Sequence, residues 1–372
     1  MSHRPEIDLL IACALPPSHP QIGGRVRSSA GGPIDWNRLS NLAAYHRVQP
    51  LLYARLAEHA PTLVPEDLLA ELNVRYRAGA TRNLSLTGEL ISLSQAFTAA
   101  GLAILPHKGP LLALAAYRDL AMRQFADLDI LIHPLDLRRA IAILAEMGYH
   151  PAEDLAWLPP SALLRWAGEM SYTSPHDVSV DLHWRLTPSH YPIQLDPEIL
   201  WRNRTSLDVA GSSLPTLTPE ALVLLLAVHG AKHCWEALGW LTDVAWLLDA
   251  NPEFDWTVLQ ALAAEARCER IVALAKSLIH AVFRGATPDS DLCRKVLDRW
   301  QNQPPESPRS PELLRFAASL SASPATTFQH VCGLILSPTE IDWRTRRLPE
   351  NRFWLYAPAR AARLARKYLL RG

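Results

Sequence analysis

The sequence predicts a mixed α+β fold, in which a small mixed sheet forms a core between helical regions at the two ends of the chain. Apolar residues recur at helical spacing before residue 100 and after residue 217, whereas short apolar runs of strand length lie between them. Glycine or proline bounds most of these runs. We therefore expect a mainly helical region at 1–83, an α/β core at 84–217 and a C-terminal helical region at 218–372.

Composition and charge limit the class of protein. A hydrophobic content of 49% and a charged content of 20% are typical of a soluble globular protein. The 37 basic and 37 acidic side chains give a formal net charge of zero, so no global field attracts nucleic acid or membranes. The cysteines form no C-x-x-C pair, and neither a signal peptide nor a membrane span is evident. We expect a cytoplasmic protein that does not bind nucleic acid.

The predicted core alternates strands and helices. Gly101 and Gly148 suit the left-handed residue that often ends a helix, and Pro110 suits the first position of one. The turn before Pro110 therefore presents Lys108 and Gly109 at a helix N-terminus. In chain order the predicted elements are a helix at 84–100, a strand at 102–105, a helix at 111–117, a strand at 127–132, a helix at 134–147 and a hairpin of 170–174 with 178–184.

Two carboxylates share one face of a predicted strand. Because side chains alternate along a strand, Asp127 and Asp129 point to one face, and Leu128 and Ile130 point to the other. Like charges about 7 Å apart repel, and aspartate is disfavoured in strands, so a cation would relieve an unfavourable pair. Mg²⁺, or Mn²⁺ in its place, binds carboxylates together with substrate phosphates. The alternative interpretation is a solvated strand face.

A third carboxylate lies on the predicted hairpin, where alternation places Asp181 and His183 on one face. If this strand lies beside the first, the three aspartates can hold two divalent ions, one on a triphosphate and one that lowers the pKa of an attacking hydroxyl. Lys108 and the backbone N–H groups after Gly109 would then bind the phosphates, because helix N-termini attract anions.

These motifs occur in a specific order between about residues 35 and 248. The central ones are His107-Lys108-Gly109, Arg123, Asp127-Leu128-Asp129-Ile130-Leu131, Gly148-Tyr149 and Val180-Asp181-Leu182-His183-Trp184, followed by His229, Lys232-His233 and Trp240-Leu241-Thr242-Asp243. The set resembles the nucleotidyltransferase superfamily of the DNA polymerase beta type, in the branch of uncharacterised bacterial nucleotidyltransferases. Two features depart from the superfamily pattern: Lys108-Gly109 replaces the usual Gly-Ser turn, and the spacing from Gly109 to Asp127 is longer than usual.

The resemblance implies an activity and a cofactor. A nucleoside monophosphate would pass from a nucleoside triphosphate, with ATP as a candidate, to a hydroxyl or phosphate acceptor on a small molecule, a sugar phosphate, a peptide or a protein. Asp127 and Asp129 would bind Mg²⁺ or Mn²⁺. Asp181 would be the third carboxylate and help to activate the acceptor. A rival interpretation is a non-catalytic relative that binds a nucleotide or a partner in a regulatory role.

Two further residues of the core have alternative interpretations. Arg123 lies four residues before Asp127, where it could neutralise phosphate or pair with Asp119 on a helix. His183 shares the face of Asp181, so it is a candidate for the acceptor pocket or an imidazole hydrogen-bonded in the core.

The helices that follow the core add three candidates for an acceptor pocket. His229 and His233 are spaced for zinc chelation on a helix, but no third ligand is evident, so we interpret them as pocket or packing residues. Asp243 lies on an apolar helix, where an unpaired charge is costly, which predicts a partner such as Lys232 or a histidine.

The end of the chain is basic. A predicted linker at 301–311 precedes it, and the last helix is expected to carry Arg360, Arg363, Arg366 and Lys367. A solvated helix face is the first interpretation. The alternative is a surface that binds RNA or acidic lipid, which would make the protein a nucleic-acid-binding module.

Overall fold

The computed structural model describes residues 4–152, 157–188, 191, 193–301, 310–320 and 324–369. Most of the predicted linker at 301–311 lies outside these residues. No helix in the part of the chain described is both long enough and apolar enough to cross a bilayer.

Helices make up most of the described chain. In chain order they are α1 (Pro5–Ala14), α2 (Ile22–Ala30), α3 (Trp36–Tyr45), α4 (Gln49–His59), α5 (Glu66–Ala99), α6 (Gly109–Leu112), α7 (Leu137–Glu146), α8 (Pro160–Trp166), α9 (Pro197–Arg202), α10 (Pro219–Lys232), α11 (Leu238–Ala250), α12 (Trp256–Glu265), α13 (Glu269–Phe283), α14 (Asp291–Gln301), α15 (Ser310–Leu320), α16 (Pro324–Leu336), α17 (Glu340–Thr345) and α18 (Tyr356–Leu369).

A mixed sheet confirms the predicted α+β class. Its strands are β1 (Leu105–Pro106), β2 (Asp127–Leu131), β3 (His150–Pro151), β4 (Glu169–Thr173) and β5 (Ser179–His183). Their order is β1-β2-β5-β4-β3, with β2 parallel to β5 and the other pairs antiparallel. The parallel pair needs a long crossover, which α7, β3, α8 and β4 supply. A separate hairpin of β6 (Arg204–Val209) and β7 (Ser212–Leu217) was not predicted.

Two compact units divide the chain, and each is assembled from three segments. The first unit comprises 1–88, 108–126 and 217–316, and the second comprises 89–107, 127–216 and 317–372. The first is helical, and the second contains the five-stranded sheet. The predicted regions are consecutive in sequence, whereas each compact unit combines three segments that are far apart in sequence.

The core of the helical unit is built on α10 and α11. Both helices are apolar on all sides and almost wholly buried, as expected for central helices. The Thr218 hydroxyl accepts a hydrogen bond from the Ala221 backbone N–H at 3.4 Å and so caps the N-terminus of α10. Trp235 packs beside α10, and its backbone carbonyl accepts from the Trp300 indole N–H at 2.7 Å, which ties α14 to this core.

Most predicted core elements are confirmed, with shifted ends. The hairpin and β2 form where predicted, and α7 closes at Gly148, whose φ is +82°. The helix predicted from residue 84 begins at Glu66, because no proline interrupts the sequence between Glu66 and Ala99. The strand predicted at 102–105 is shorter: the Leu102 N–H bonds back to the Phe97 carbonyl at 2.9 Å, so the chain is still closing α5 where the strand was expected.

Two helix glycines provide a matched test of packing in the helical unit. A Cβ on Gly230 would lie 2.5 Å from the ring of Trp235, which is fully buried and cannot move away, whereas a Cβ on Gly79 would meet nothing within 4 Å. We expect Gly230→Ala to destabilise the protein by about 1–3 kcal/mol through overpacking. Gly79→Ala should stabilise it by about 0.5–1 kcal/mol, because alanine favours a helix interior. Chemical unfolding of both variants checks this; a Gly230→Ala protein as stable as Gly79→Ala would contradict the packing described.

Candidate active site

One face of the central sheet is polar. Residues in register on neighbouring strands point to the same face, and Asp129 is in register with Asp181, which is in register with Ser171. The same alternation places on this face Asp127 and Asp129 of β2, Ser179, Asp181 and His183 of β5, and Glu169, Ser171 and Thr173 of β4. The opposite face is the buried apolar side of the sheet, formed by Leu128, Ile130, Met170, Tyr172, Val180 and Leu182.

His183 links two carboxylates on the polar face. Its Nε2 lies 3.1 Å from Asp129 Oδ1, and its Nδ1 lies 3.0 Å from Glu169 Oε2. Burial by itself lowers the pKa of His183, but the hydrogen bonds and charges of Asp129 and Glu169 outweigh burial and raise that pKa to about 9. At neutral pH the imidazole is therefore a cation, and it offsets part of the repulsion among the acidic residues.

The other two aspartates are more accessible. Asp127 and Asp181 are both partly exposed, whereas Asp129 is 8% exposed. The Ser171 hydroxyl donates to Asp181 Oδ1 at 2.5 Å, which fixes the orientation of that carboxylate. The polar face thus combines one buried acid with two acids that can reach a ligand in solvent.

A histidine at the end of β1 completes a cluster of metal-binding atoms. Within the described part of the chain, His107, Asp129 and His183 form the group whose ligand atoms come together, all within 4.8 Å of one another. The His107 backbone N–H also donates to the Asp129 carbonyl at 3.3 Å, which fixes β1 against β2. Two imidazoles and a carboxylate suit Mn²⁺ or another transition metal, but the ion would bind His183 only in its neutral form and would have to displace its proton. The nearby carboxylates of the polar face suit Mg²⁺ without that requirement. These residues therefore fit a divalent cation.

Lys108 and Gly109 open a short helix in the first unit. Lys108 is the N-cap of α6, and Gly109 has a φ of +54°, in the left-handed region that residues other than glycine adopt at a cost. This conformation explains why glycine follows Lys108. The predicted position of the pair at a helix start is confirmed, but α6 has only four residues before the helix widens at 113–117.

Arg123 is bound to Asp243 by two hydrogen bonds. Its Nε and Nη2 lie 2.9 and 3.0 Å from the two oxygens of Asp243, which also accepts from the Tyr117 hydroxyl at 2.8 Å. The predicted partner of Asp243, Lys232 or a histidine, was therefore wrong. A planar guanidinium can bind both carboxylate oxygens at once, which neither of those side chains can. Asn83 holds the same segment by donating to the carbonyls of Leu120 and Arg123.

His229 and His233 lie in an aromatic cluster of the helical unit. Their ring centroids are 4.8 Å apart and lie 5.5 and 5.0 Å, respectively, from the ring of Trp240. The guanidinium of Arg47 lies 5.4 Å from the Trp240 centroid. The cluster offers flat, partly polar surfaces, and its arrangement agrees with the predicted pocket or packing role better than with a zinc site.

The chain is similar to known nucleotidyltransferases. A family described as uncharacterised nucleotidyltransferases matches residues 32–284, which is more than half of the sequence. The chain therefore belongs to this family. No protein in the curated collection matches it.

Two solved structures share a distant likeness. The antibiotic-resistance factor ANT(2'')-Ia has a TM-score of 0.35 and 13% identity, covering 53% of this chain and 99% of its own. An antigenic nucleotidyltransferase-like protein from Paracoccidioides brasiliensis has a TM-score of 0.33 and 14% identity, covering 56% of this chain and 95% of its own. At these scores neither structure supports an inference about substrate or mechanism.

Several residues of the polar face were not predicted as site residues. The positions of Glu169 and Ser171 on this face follow from the register of the hairpin. That register can be counted from the sequence once the turn is placed at 175–177. His107 belongs to the recognised His-Lys-Gly motif, but the sequence alone gave it no function. Its closeness to His183 depends on β1 pairing with β2, which local patterns do not reveal.

The bond between Arg123 and Asp243 is expected to be essential for stability of the helical unit. Asp243→Asn removes the charge and leaves the guanidinium buried without its carboxylate, which typically costs about 3–5 kcal/mol. Tyr117→Phe is the matched control: it removes one hydrogen bond to the same carboxylate, worth about 1 kcal/mol, and keeps the ion pair. Chemical unfolding of the two variants gives the comparison. Equal losses would contradict the dominance of the ion pair.

Proposed function

We propose that this protein transfers a nucleoside monophosphate from a nucleoside triphosphate to a hydroxyl or phosphate acceptor. The observation that carries the proposal is the register of β2 and β5, which aligns Asp129 with Asp181 on a face that also holds Asp127. Three carboxylates on one side of a sheet are unfavourable unless a cation binds there. Membership of a nucleotidyltransferase family supports the same reaction.

The reaction exchanges one bond at the α-phosphorus for another. The acceptor oxygen forms a bond to that phosphorus as the bond to the oxygen bridging the β-phosphate breaks, and pyrophosphate leaves. Asp127, Asp129 and Asp181 would hold Mg²⁺ or Mn²⁺. When bound, the ion would neutralise charge on the triphosphate and lower the pKa of the attacking hydroxyl.

In this proposal Asp181 receives the proton of the acceptor. Its carboxylate is partly exposed, so an acceptor can reach it, and Ser171 holds it in one orientation. Asp129 is buried against His183 and is better suited to binding than to proton transfer. The proton passes to an Asp181 oxygen as the new bond to phosphorus forms.

Binding of the triphosphate is proposed for Lys108 and the backbone N–H groups after Gly109. Arg123 was a second candidate, but two of its nitrogens bind Asp243, so we propose that it fixes the segment leading into β2. The cluster of His229 and His233 with Trp240 remains our candidate for the acceptor pocket. All five cysteines are free thiols, which supports a reducing compartment such as the cytoplasm.

The role proposed for Asp181 predicts a selective loss of turnover. Asp181→Asn keeps the shape of the side chain but cannot accept the proton, so single-turnover transfer from a labelled triphosphate should fall by about 10²- to 10⁴-fold. Nucleotide binding, measured separately by calorimetry, should be retained. Asp177→Asn is the matched control, because it makes the same change in the turn of the same hairpin, where asparagine tolerates the φ of +61°.

Three results separate the proposals. Loss of turnover in Asp181→Asn alone supports proton transfer by Asp181. Wild-type turnover in Asp181→Asn contradicts that role. If the wild-type protein binds a triphosphate but transfers nothing to any component of a cell extract, the non-catalytic interpretation replaces the transferase.

A further inference from the structure

A cavity lies in the C-terminal part of the second unit, outside the residues that match the nucleotidyltransferase family. It has a volume of about 390 Å³, within the roughly 300–1,000 Å³ of small-molecule sites. The cavity is lined by α17, by the segment that follows it and by α18.

Much of the cavity wall is apolar and fixed in place. Leu348, Leu355 and Ala359 line it together with Tyr356, which is buried. The Tyr356 hydroxyl donates to the Arg346 carbonyl at 2.7 Å and accepts from the Leu348 N–H at 3.0 Å. These two bonds hold the segment between α17 and α18 in one conformation, so the cavity is a preformed feature of this region.

One acid in the wall is already neutralised. Asp342 accepts from Arg363 at 2.8 Å and from Arg360 at 3.1 Å, and its side chain is 4% exposed. Burial raises the pKa of Asp342, but the hydrogen bonds from Arg363, Thr339 and Arg360 outweigh burial and lower that pKa to about 2. The carboxylate is therefore ionised at neutral pH and is held by two guanidinium groups.

The remaining charges of the cavity are positive. One acidic residue, Asp342, and three basic residues, Arg346, Arg363 and Arg366, line the cavity. The lining therefore has a surplus of two positive charges. Arg346 and Arg366 are exposed, and within the described residues neither has an ion-pair partner. The cavity thus places these two arginines beside an apolar wall. A ligand with an anionic end and an apolar end would contact both the arginines and the wall.

We propose that this C-terminal cavity binds a phosphate monoester that carries an apolar or aromatic group. The phosphate binds Arg346 and Arg366, and the apolar group lies against Leu348, Leu355 and Ala359. A phosphate monoester carries a charge of about −1.5 to −2 at neutral pH, which matches the surplus in the cavity. The ligand is either a soluble phosphate ester or the headgroup of an anionic lipid. This binding does not depend on the transferase activity proposed above.

The test uses the full-length protein with two probes in the presence of a chelator. Phenyl phosphate, titrated by calorimetry, represents a soluble ester, with benzoate as the monoanionic comparison. Phosphatidylcholine vesicles with and without phosphatidic acid, assayed by co-sedimentation, represent the lipid source. The cavity variant is Arg346→Gln with Arg366→Gln. The matched control is Arg344→Gln with Arg352→Gln, which removes two exposed arginines of the same region that do not line the cavity.

We expect the cavity variant to bind at least about tenfold more weakly to one of the two probes, and the control variant to bind as wild type does. The probe that responds identifies the source of the phosphate. Three results would overturn the proposal: no binding of either probe by the wild-type protein, equal weakening in both variants, or binding of benzoate as tight as that of phenyl phosphate. Unchanged thermal unfolding of both variants establishes that the fold is retained.

Discussion

The parallel register of β2 and β5 is the constraint on which the polar face depends. It aligns Asp129 with Asp181 and leaves Asp127 on the same side, so three like charges share one surface of a small sheet. The opposite side of the sheet packs into the apolar core. A shift of one residue in the pairing of the strands would bury the aspartates and expose the core residues. The fold therefore keeps the carboxylates together through the burial of the residues between them.

Charge balance explains how the second unit tolerates this arrangement. His183 contacts Asp129 and Glu169 and carries a positive charge at neutral pH, so the charge of Asp129, the buried acid of the polar face, is partly compensated by the protein itself. Asp127 and Asp181 retain access to solvent. The same rule applies in the C-terminal region, where Arg360 and Arg363 compensate the buried Asp342. Part of the basic tail thus stabilises the fold. The expected solvated helix face was wrong for Arg360, which is buried, because the carboxylate of Asp342 binds its guanidinium.

Local patterns predicted the elements whose signals lie within a few residues. The D-x-D strand and the hairpin follow from alternation and turn residues, and the helix start at Lys108 follows from the preference of proline for the first position of a helix. The partner of Asp243 could not be predicted, because Arg123 is 120 residues away in sequence. The cluster of His107 with Asp129 and His183 likewise depends on strand pairing. The ends of α5 and β1 could not be predicted from local signals, because α5 continues through Gly79 and Gly88 and β1 includes Pro106.

The central claim is that the polar face of this sheet binds a divalent cation together with a nucleotide. Electron paramagnetic resonance of Mn²⁺, titrated into the protein with a non-hydrolysable triphosphate analogue, measures this binding directly. The wild-type protein should bind Mn²⁺ more tightly than the analogue alone does, and Asp129→Asn should lose at least about tenfold in that affinity, since it removes a charged ligand. Equal Mn²⁺ affinity in the two proteins would contradict the account.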